Sequence, residues 1–374
     1  MQTRNSSIAA SSLPGVDARV GQVLQGRFQV LAPMGASGPA RVYRAAQLPL
    51  ERVVTLEVLG AGAEATHQQH LLAEARATAR LHHPNIVTVL DFGRMEDGTV
   101  FLATELVEGV TLARRLEAGA LAWPRAVELA RGIARALRAA HRAGVVHRAL
   151  TPDSVLVSSD ARGGPDHVKV RGFGRVAPVL SEQGRLSVPD ITLAGALPGS
   201  HAYRAPEQAR GSADARGDIY SLGIVLYQML VGRVPFVSTD ALELVFAHHK
   251  EPPPRFRTLR PDLAIPAPLE ALVRRCLEKR PEARFASMDE VLDGLRAVVD
   301  EAGALELPGE GGDVAVARTL SSEETRALAV TDLEFDAPPV AAPAGPPLPR
   351  WLTVGVLVAL AAATVAVVAQ HLHR

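Results

Sequence analysis

The stretch VVHRALTPDSVLV, residues 145–157, is where the reading of the fold is decided. Directly before it, WPRAVELARGIARALRAAHRAG forms a helical pattern with Trp123-Pro124 as a start signal and Gly144 as a stop. Further back, between Phe28 and about Val107, the runs FQVLAPM, ARVYRAA and VVTLEVL are rich in β-branched residues and bounded by Gly or Pro, which predicts short strands. One helical stretch interrupts them, HQQHLLAEARATARL at 67–81, with apolar residues three and four apart. Beyond residue 157 the pattern predicts helices at 217–232, 239–249 and 267–279. The chain therefore divides into a flexible arm (1–26), a strand-rich lobe (27–109) and a helix-rich lobe (110–300).

With 374 residues the chain can bury a sizeable core. Its formal net charge is zero, which gives no electrostatic reason to bind nucleic acid. Arginine supplies nearly all the positive charge, since lysine occurs only at 169, 250 and 279. The single cysteine, Cys276, lies in the apolar pattern LEALVRRCL and reads as a buried thiol. The amino-terminal MQTRNSSIAASSLPG has no apolar core and does not read as a signal peptide.

Residues 301–350 mix acidic, small and proline residues without periodicity, as in a disordered Pro-rich linker. There, Thr319, Ser321, Ser322 and Thr325 stand beside acids as potential phosphoacceptors. The run WLTVGVLVALAAATVAVVAQ at 351–370 carries no charge and, as a helix, covers roughly 30 Å, about a bilayer core. A buried core helix is the alternative, but the run has no amphipathic stripe and Trp351 marks one edge. A transmembrane helix is the expectation. Gly355, Ala359 and Ala363 put small side chains on one face of it, a spacing that permits homodimerisation.

Several further words, in order and spacing, resemble landmarks of the bacterial (eukaryotic-like) serine/threonine protein kinases. They are HPNIV at 83–87, ELVEG at 105–109, APEQARG at 205–211, DIYSLGIVLYQMLVGRVPF at 218–236 and CLEKRPEARF at 276–285. The resemblance covers residues 27 to about 298 and implies an α+β, two-lobed kinase-like fold. It also implies structural roles. Glu207 pairs with Arg284, Asp218 holds the catalytic loop from below, and His147 and Phe173 belong to the packed spine between the lobes. The expected location is the bacterial inner membrane, single-pass, with the kinase-like body on the cytoplasmic face.

The charged parts of phosphoryl transfer, each with a definite job, depart from the family pattern. Glu57 stands where the phosphate-gripping lysine belongs, Ala149 replaces the catalytic aspartate, Thr151 the neighbouring lysine, Ser154 the metal-binding asparagine, and Gly172 the metal-binding aspartate. In the phosphate-covering loop MGASGPARVY, Gly35 and Gly38 remain while Ser37 and Ala40 replace glycines. Arg41, Arg44 or Arg52 are the cations left to substitute for the lysine. Glu74 matches the helix glutamate that normally pairs with that lysine, so Glu57 and Glu74 would repel unless a cation joins them. Arg171 is the expected partner; the alternative is that Glu57 faces solvent and Arg171 meets a surface acid. The adenine end is less altered. Val42 and Leu156 could sandwich a base under Thr55, and Thr104, Glu105 and Val107 keep a hinge of normal length, which leaves room for weak, metal-independent ATP binding. These residues point to a catalytically inactive pseudokinase with a protein partner, an active kinase or another signalling protein, and with no metal or cofactor. The alternative is an active serine/threonine kinase with rearranged chemistry.

Overall fold

Alternation along neighbouring strands builds the first lobe, in a computed structural model that describes residues 17–158, 166–174, 200–210 and 214–305. Its strands are β1 (Val23–Leu24), β2 (Phe28–Ser37), β3 (Ala40–Gln47), β4 (Arg52–Leu59), β5 (Val89–Arg94) and β6 (Val100–Glu105), with α1 (Ala65–Thr78) between β4 and β5. They form one antiparallel sheet in the order β1-β2-β3-β4-β6-β5. Successive side chains face opposite sides, so the sheet has two apolar faces. Ala40, Leu59, Val100 and Leu102 pack against Leu71 and Ala75 of α1. Phe28, Val30, Tyr43, Val54, Leu56, Val58 and Phe101 form the opposite face.

That second face corrects the expectation of a flexible arm (1–26) for residues 17–26; the rest of that stretch lies outside the described residues. Val20 and Leu24 pack on it, and β1 pairs with β2 as a sixth strand. The tie is polar as well. The Tyr43 hydroxyl, on an otherwise apolar face, donates to Asp17 Oδ2 at 2.9 Å, and Arg41 Nη1 reaches the same oxygen at 3.1 Å.

The second lobe comprises β7 (Val110–Thr111), α2 (Leu112–Leu116), α3 (Trp123–Arg142), β8 (Val155–Ser158), β9 (His167–Val170), α4 (Ala215–Val231), α5 (Ala241–Lys250), α6 (Phe256–Leu259), α7 (Ala267–Cys276) and α8 (Met288–Leu305). β7, β8 and β9 make a small antiparallel sheet. Asp214 caps α4 by accepting the Arg216 N–H, and Gly232 ends it in the left-handed conformation. Between those caps α4 is apolar nearly all round and buried, the pattern of a central helix.

α4 meets α7 closely because position 223 has no side chain: a Cβ there would lie 2.7 Å from the Cβ of Cys276. Cys276 is buried, and burial pushes its thiol up to about 12. Gly223→Ala is expected to cost about 1–3 kcal/mol through overpacking. A urea midpoint unchanged from wild type would contradict this contact.

Among the described residues no helix is long and apolar enough to cross a membrane. Residues 351–370, with Gly355, Ala359 and Ala363, lie outside the described residues, as do Thr319, Ser321, Ser322 and Thr325.

Candidate functional site

A single buried carboxylate organises the floor of the cleft. Asp218 on α4 accepts the backbone N–H groups of His147 and Arg148, each at 2.8 Å, and lies 2.7 Å from His141 Nε2. Three partners satisfy a charge that would otherwise be costly to bury. The loop 145–154 is thereby held from below. His147 then stacks edge-on against Phe173 with ring centroids 4.7 Å apart, and its Nε2 lies 3.0 Å from the Arg171 carbonyl. The HPNIV segment joins the same floor: Asn85 Nδ2 donates to the Val168 carbonyl, and Val87 N–H to that of Val170.

Arg284 anchors the base of this lobe. Its side chain is fully buried, and all five of its N–H donors have acceptors. Nη1 and Nη2 reach Glu207 Oε1 and Oε2 at 2.7 and 2.8 Å, and the backbone carbonyls of Glu278, Arg216 and Lys279 take the rest. The guanidinium also lies over the Tyr220 ring.

The roof comes from the α1-side face of the sheet. Glu57 pairs across to Val42 on β3 and Leu102 on β6, and Thr55 to Thr104, so these residues share one face. Glu57 is 8% exposed, not solvent-facing. Arg171 Nη1 lies 3.8 Å from Glu57 Oε1, while Arg171 Nη2 donates to the Asp153 carbonyl at 3.4 Å. An arginine from the floor thus meets a glutamate from the roof across the cleft. Glu74 is half-buried on α1. The turn after Arg171 closes against the same helix: Gly172 and Gly174 have φ of +88° and +75°, and a Cβ at 174 would lie 2.4 Å from that of Ala77. Gly35 and Gly38 sit in the β2–β3 hairpin, whose last pair is Ser37–Ala40.

In the loop itself, Ala149 offers no polar side chain, and its N–H faces His147 Nδ1 at 3.3 Å. The Ser154 hydroxyl is turned inward: it donates to the Thr151 carbonyl at 2.7 Å and accepts the Thr151 N–H at 3.1 Å. It closes the loop on itself. That orientation could not be read from the sequence.

A second ion pair, also absent from the sequence reading, bridges floor and hinge. Lys169 Nζ on β9 lies 2.7 Å from Glu105 Oε1, which also accepts the Thr88 N–H at 2.8 Å. Leu156 is the cross-strand neighbour of Lys169, and Val107 within the hinge is half-buried. The residues are 64 apart in sequence, and the one available signal was a rare lysine in HVKV. Burial alone would raise the Glu105 carboxyl, but the Lys169 ammonium and the Thr88 N–H outweigh it and hold the group below its usual range. A folded value below the unfolded one means the contribution is complete above the ordinary glutamate range and is lost as pH falls through the folded value. Lys169→Met is therefore expected to cost about 1 kcal/mol at pH 7 and little once Glu105 is protonated. An equal cost at acid and neutral pH would contradict this.

A six-stranded sheet with one helix, set on a helical lobe whose buried aspartate holds the loop between them, defines a protein-kinase-like fold. A model of the protein kinase domain matches residues 28–294. The serine/threonine-protein kinase pkn3 of Myxococcus xanthus is 39% identical over 295 residues, covering 77% of this chain and 53% of pkn3. The DNA damage-responsive serine/threonine-protein kinase RqkA of Deinococcus radiodurans is 39% identical over 268 residues, 71% of this chain and 38% of its own length. The serine/threonine-protein kinase PknL of Mycobacterium tuberculosis is 34% identical over 284 residues, 75% of this chain and 67% of PknL. The chain belongs to the protein kinase domain family, within its bacterial serine/threonine kinases. It spans about half the length of pkn3 and less than half of RqkA.

Proposed function

We propose that the protein is a membrane-tethered pseudokinase: a binding or scaffolding module that regulates an active kinase or another signalling protein without transferring phosphate. The observation that carries this reading is the Arg171–Glu57 contact across the cleft. It sets a buried carboxylate in the place of the family's phosphate-gripping lysine and engages the nearby arginine with that carboxylate rather than with phosphate. Ala149 removes the general base, a loss of roughly 10²–10⁴-fold. Gly172 has no carboxylate for a metal, and the Ser154 hydroxyl is committed to its own loop. These losses are not additive, but they act in one direction. Residues 351–370 are the proposed anchor and Gly355, Ala359 and Ala363 a proposed dimer face, with the body on the cytoplasmic side. Any nucleotide bound would sit at the hinge without a metal.

The preserved supports, Asp218, His147 and Phe173, favour a second reading, an active serine/threonine kinase with rearranged chemistry. Radiolabelled ATP and magnesium, given to the full-length protein with a generic acceptor, separate the two. No transfer above background is expected, either for wild type or for Ala149→Asp alone. Transfer by the wild type would establish the second reading.

A further inference from the structure

α3 buries Ala126, Leu129, Ala130, Ile133, Leu137 and Ala140 and leaves a narrow outer stripe. Residues 128, 131, 135, 138 and 142 recur along it three or four apart, so they share a face. The stripe carries Glu128 and then four arginines, Arg131, Arg135, Arg138 and Arg142. Arg138 and Arg142 share Asp289 of α8, at 3.3 and 3.0 Å. Arg131 and Arg135 have no acid within ion-pair distance among the described residues. The field of the stripe registers on a neighbour: burial first, then Arg138, Arg135 and Lys169, push the His83 imidazole below its ordinary value.

We infer that this stripe is a membrane-facing surface that takes the phosphate groups of anionic lipids. The inference rests on the membrane tethering proposed above, which would hold the body beside a bilayer. The chain as a whole is neutral, so four arginines on one helix face make a local charge that the composition does not require. Arginine suits the ligand, because its planar fork binds phosphate oxygens in pairs. The shape favours lipid over an acidic protein. The arginines run about 17 Å along one straight helix, and none of the large exposed apolar side chains lies on α3. A protein interface normally needs such an anchor at its centre, whereas a headgroup layer needs only a row of cations.

The test uses the full chain in lipid nanodiscs, one set of phosphatidylcholine and one containing phosphatidylglycerol, with phenylglyoxal modification of each arginine followed by mass spectrometry. Modification of Arg131 and Arg135 is expected to slow about fivefold in the anionic discs and to recover on the order of 0.5 M salt. Exposed Arg257, on α6, should react equally in both. The double variant Arg131→Gln/Arg135→Gln, altered only on the outer stripe, should lose the lipid dependence at Arg138 and Arg142. Equal rates at Arg131 and Arg135 in the two disc types at low salt would overturn the inference, whether or not the anchor holds. Protection that appears only on adding a membrane-protein extract would also overturn it and assign the stripe to an acidic protein. Failure of the protein to float with either disc in high salt would count against the anchor itself, and is read separately.

Discussion

Glu207→Ala is expected to lower the unfolding free energy by about 3–5 kcal/mol, because it leaves the Arg284 charge buried and uncompensated. Arg284 has no exposed side-chain surface, and two of its five hydrogen bonds go to the lost carboxylate. The three backbone carbonyls remain, but they carry no formal charge. The matched change Glu207→Leu/Arg284→Met removes both charges together and should cost less than Glu207→Ala alone. Urea unfolding of the three proteins provides the comparison. A Glu207→Ala loss under about 1 kcal/mol, typical of an exposed ion pair, would mean that this pair does not hold the lobe.

The second large effect is a gain of function. The five-site variant Glu57→Lys/Ala149→Asp/Ser154→Asn/Arg171→Leu/Gly172→Asp restores the charges at the cleft. Arg171 must go as well, since its guanidinium would repel the new lysine from the place where it now meets Glu57. The supports for these residues are already in position: Asp218 holds the loop, and position 172 has a left-handed backbone that aspartate tolerates better than most residues. Millimolar Mg-ATP should then stabilise the variant by about 2 kcal/mol, several degrees in melting temperature. Phosphate transfer should rise at least about 10²-fold over wild type. Single restorations should gain neither, because base, metal ligand and phosphate cation act as one unit. A variant that folds, melts like wild type and binds no Mg-ATP would show that the cleft differs from its family by more than these side chains.

The scaffold was largely legible in the sequence because its landmarks are contiguous words. APEQARG and CLEKRPEARF carry Glu207 and Arg284, DIYSLGIVLYQMLVGRVPF carries Asp218, and VVTLEVL carries Glu57 at the place of the family's strand lysine. Arg171 could be paired with Glu57 because a charge exchanged at one position calls for a counter-charge nearby. What could not be read depends on side-chain direction or on distant neighbours. Ser154 as a letter does not say whether its hydroxyl faces a metal or its own loop. Lys169 and Glu105 meet only once two lobes are stacked. Asp17 and β1 lie in a stretch too short and polar to show periodicity, yet Tyr43 needs that carboxylate. The uncharged run 351–370 remains a reading of sequence.

The central claim is that an intact kinase scaffold here encloses a cleft unable to hold the metal–triphosphate pair. Thermal unfolding of the full-length wild-type protein, with ATP at millimolar concentration and with magnesium or a chelator, tests it most directly. Any ligand that binds the folded state raises the melting temperature by mass action. Melting curves that coincide with and without Mg-ATP are the predicted result. A clear, magnesium-dependent rise would mean that the cleft holds the metal and the phosphates despite Glu57 and Gly172, and would contradict the claim.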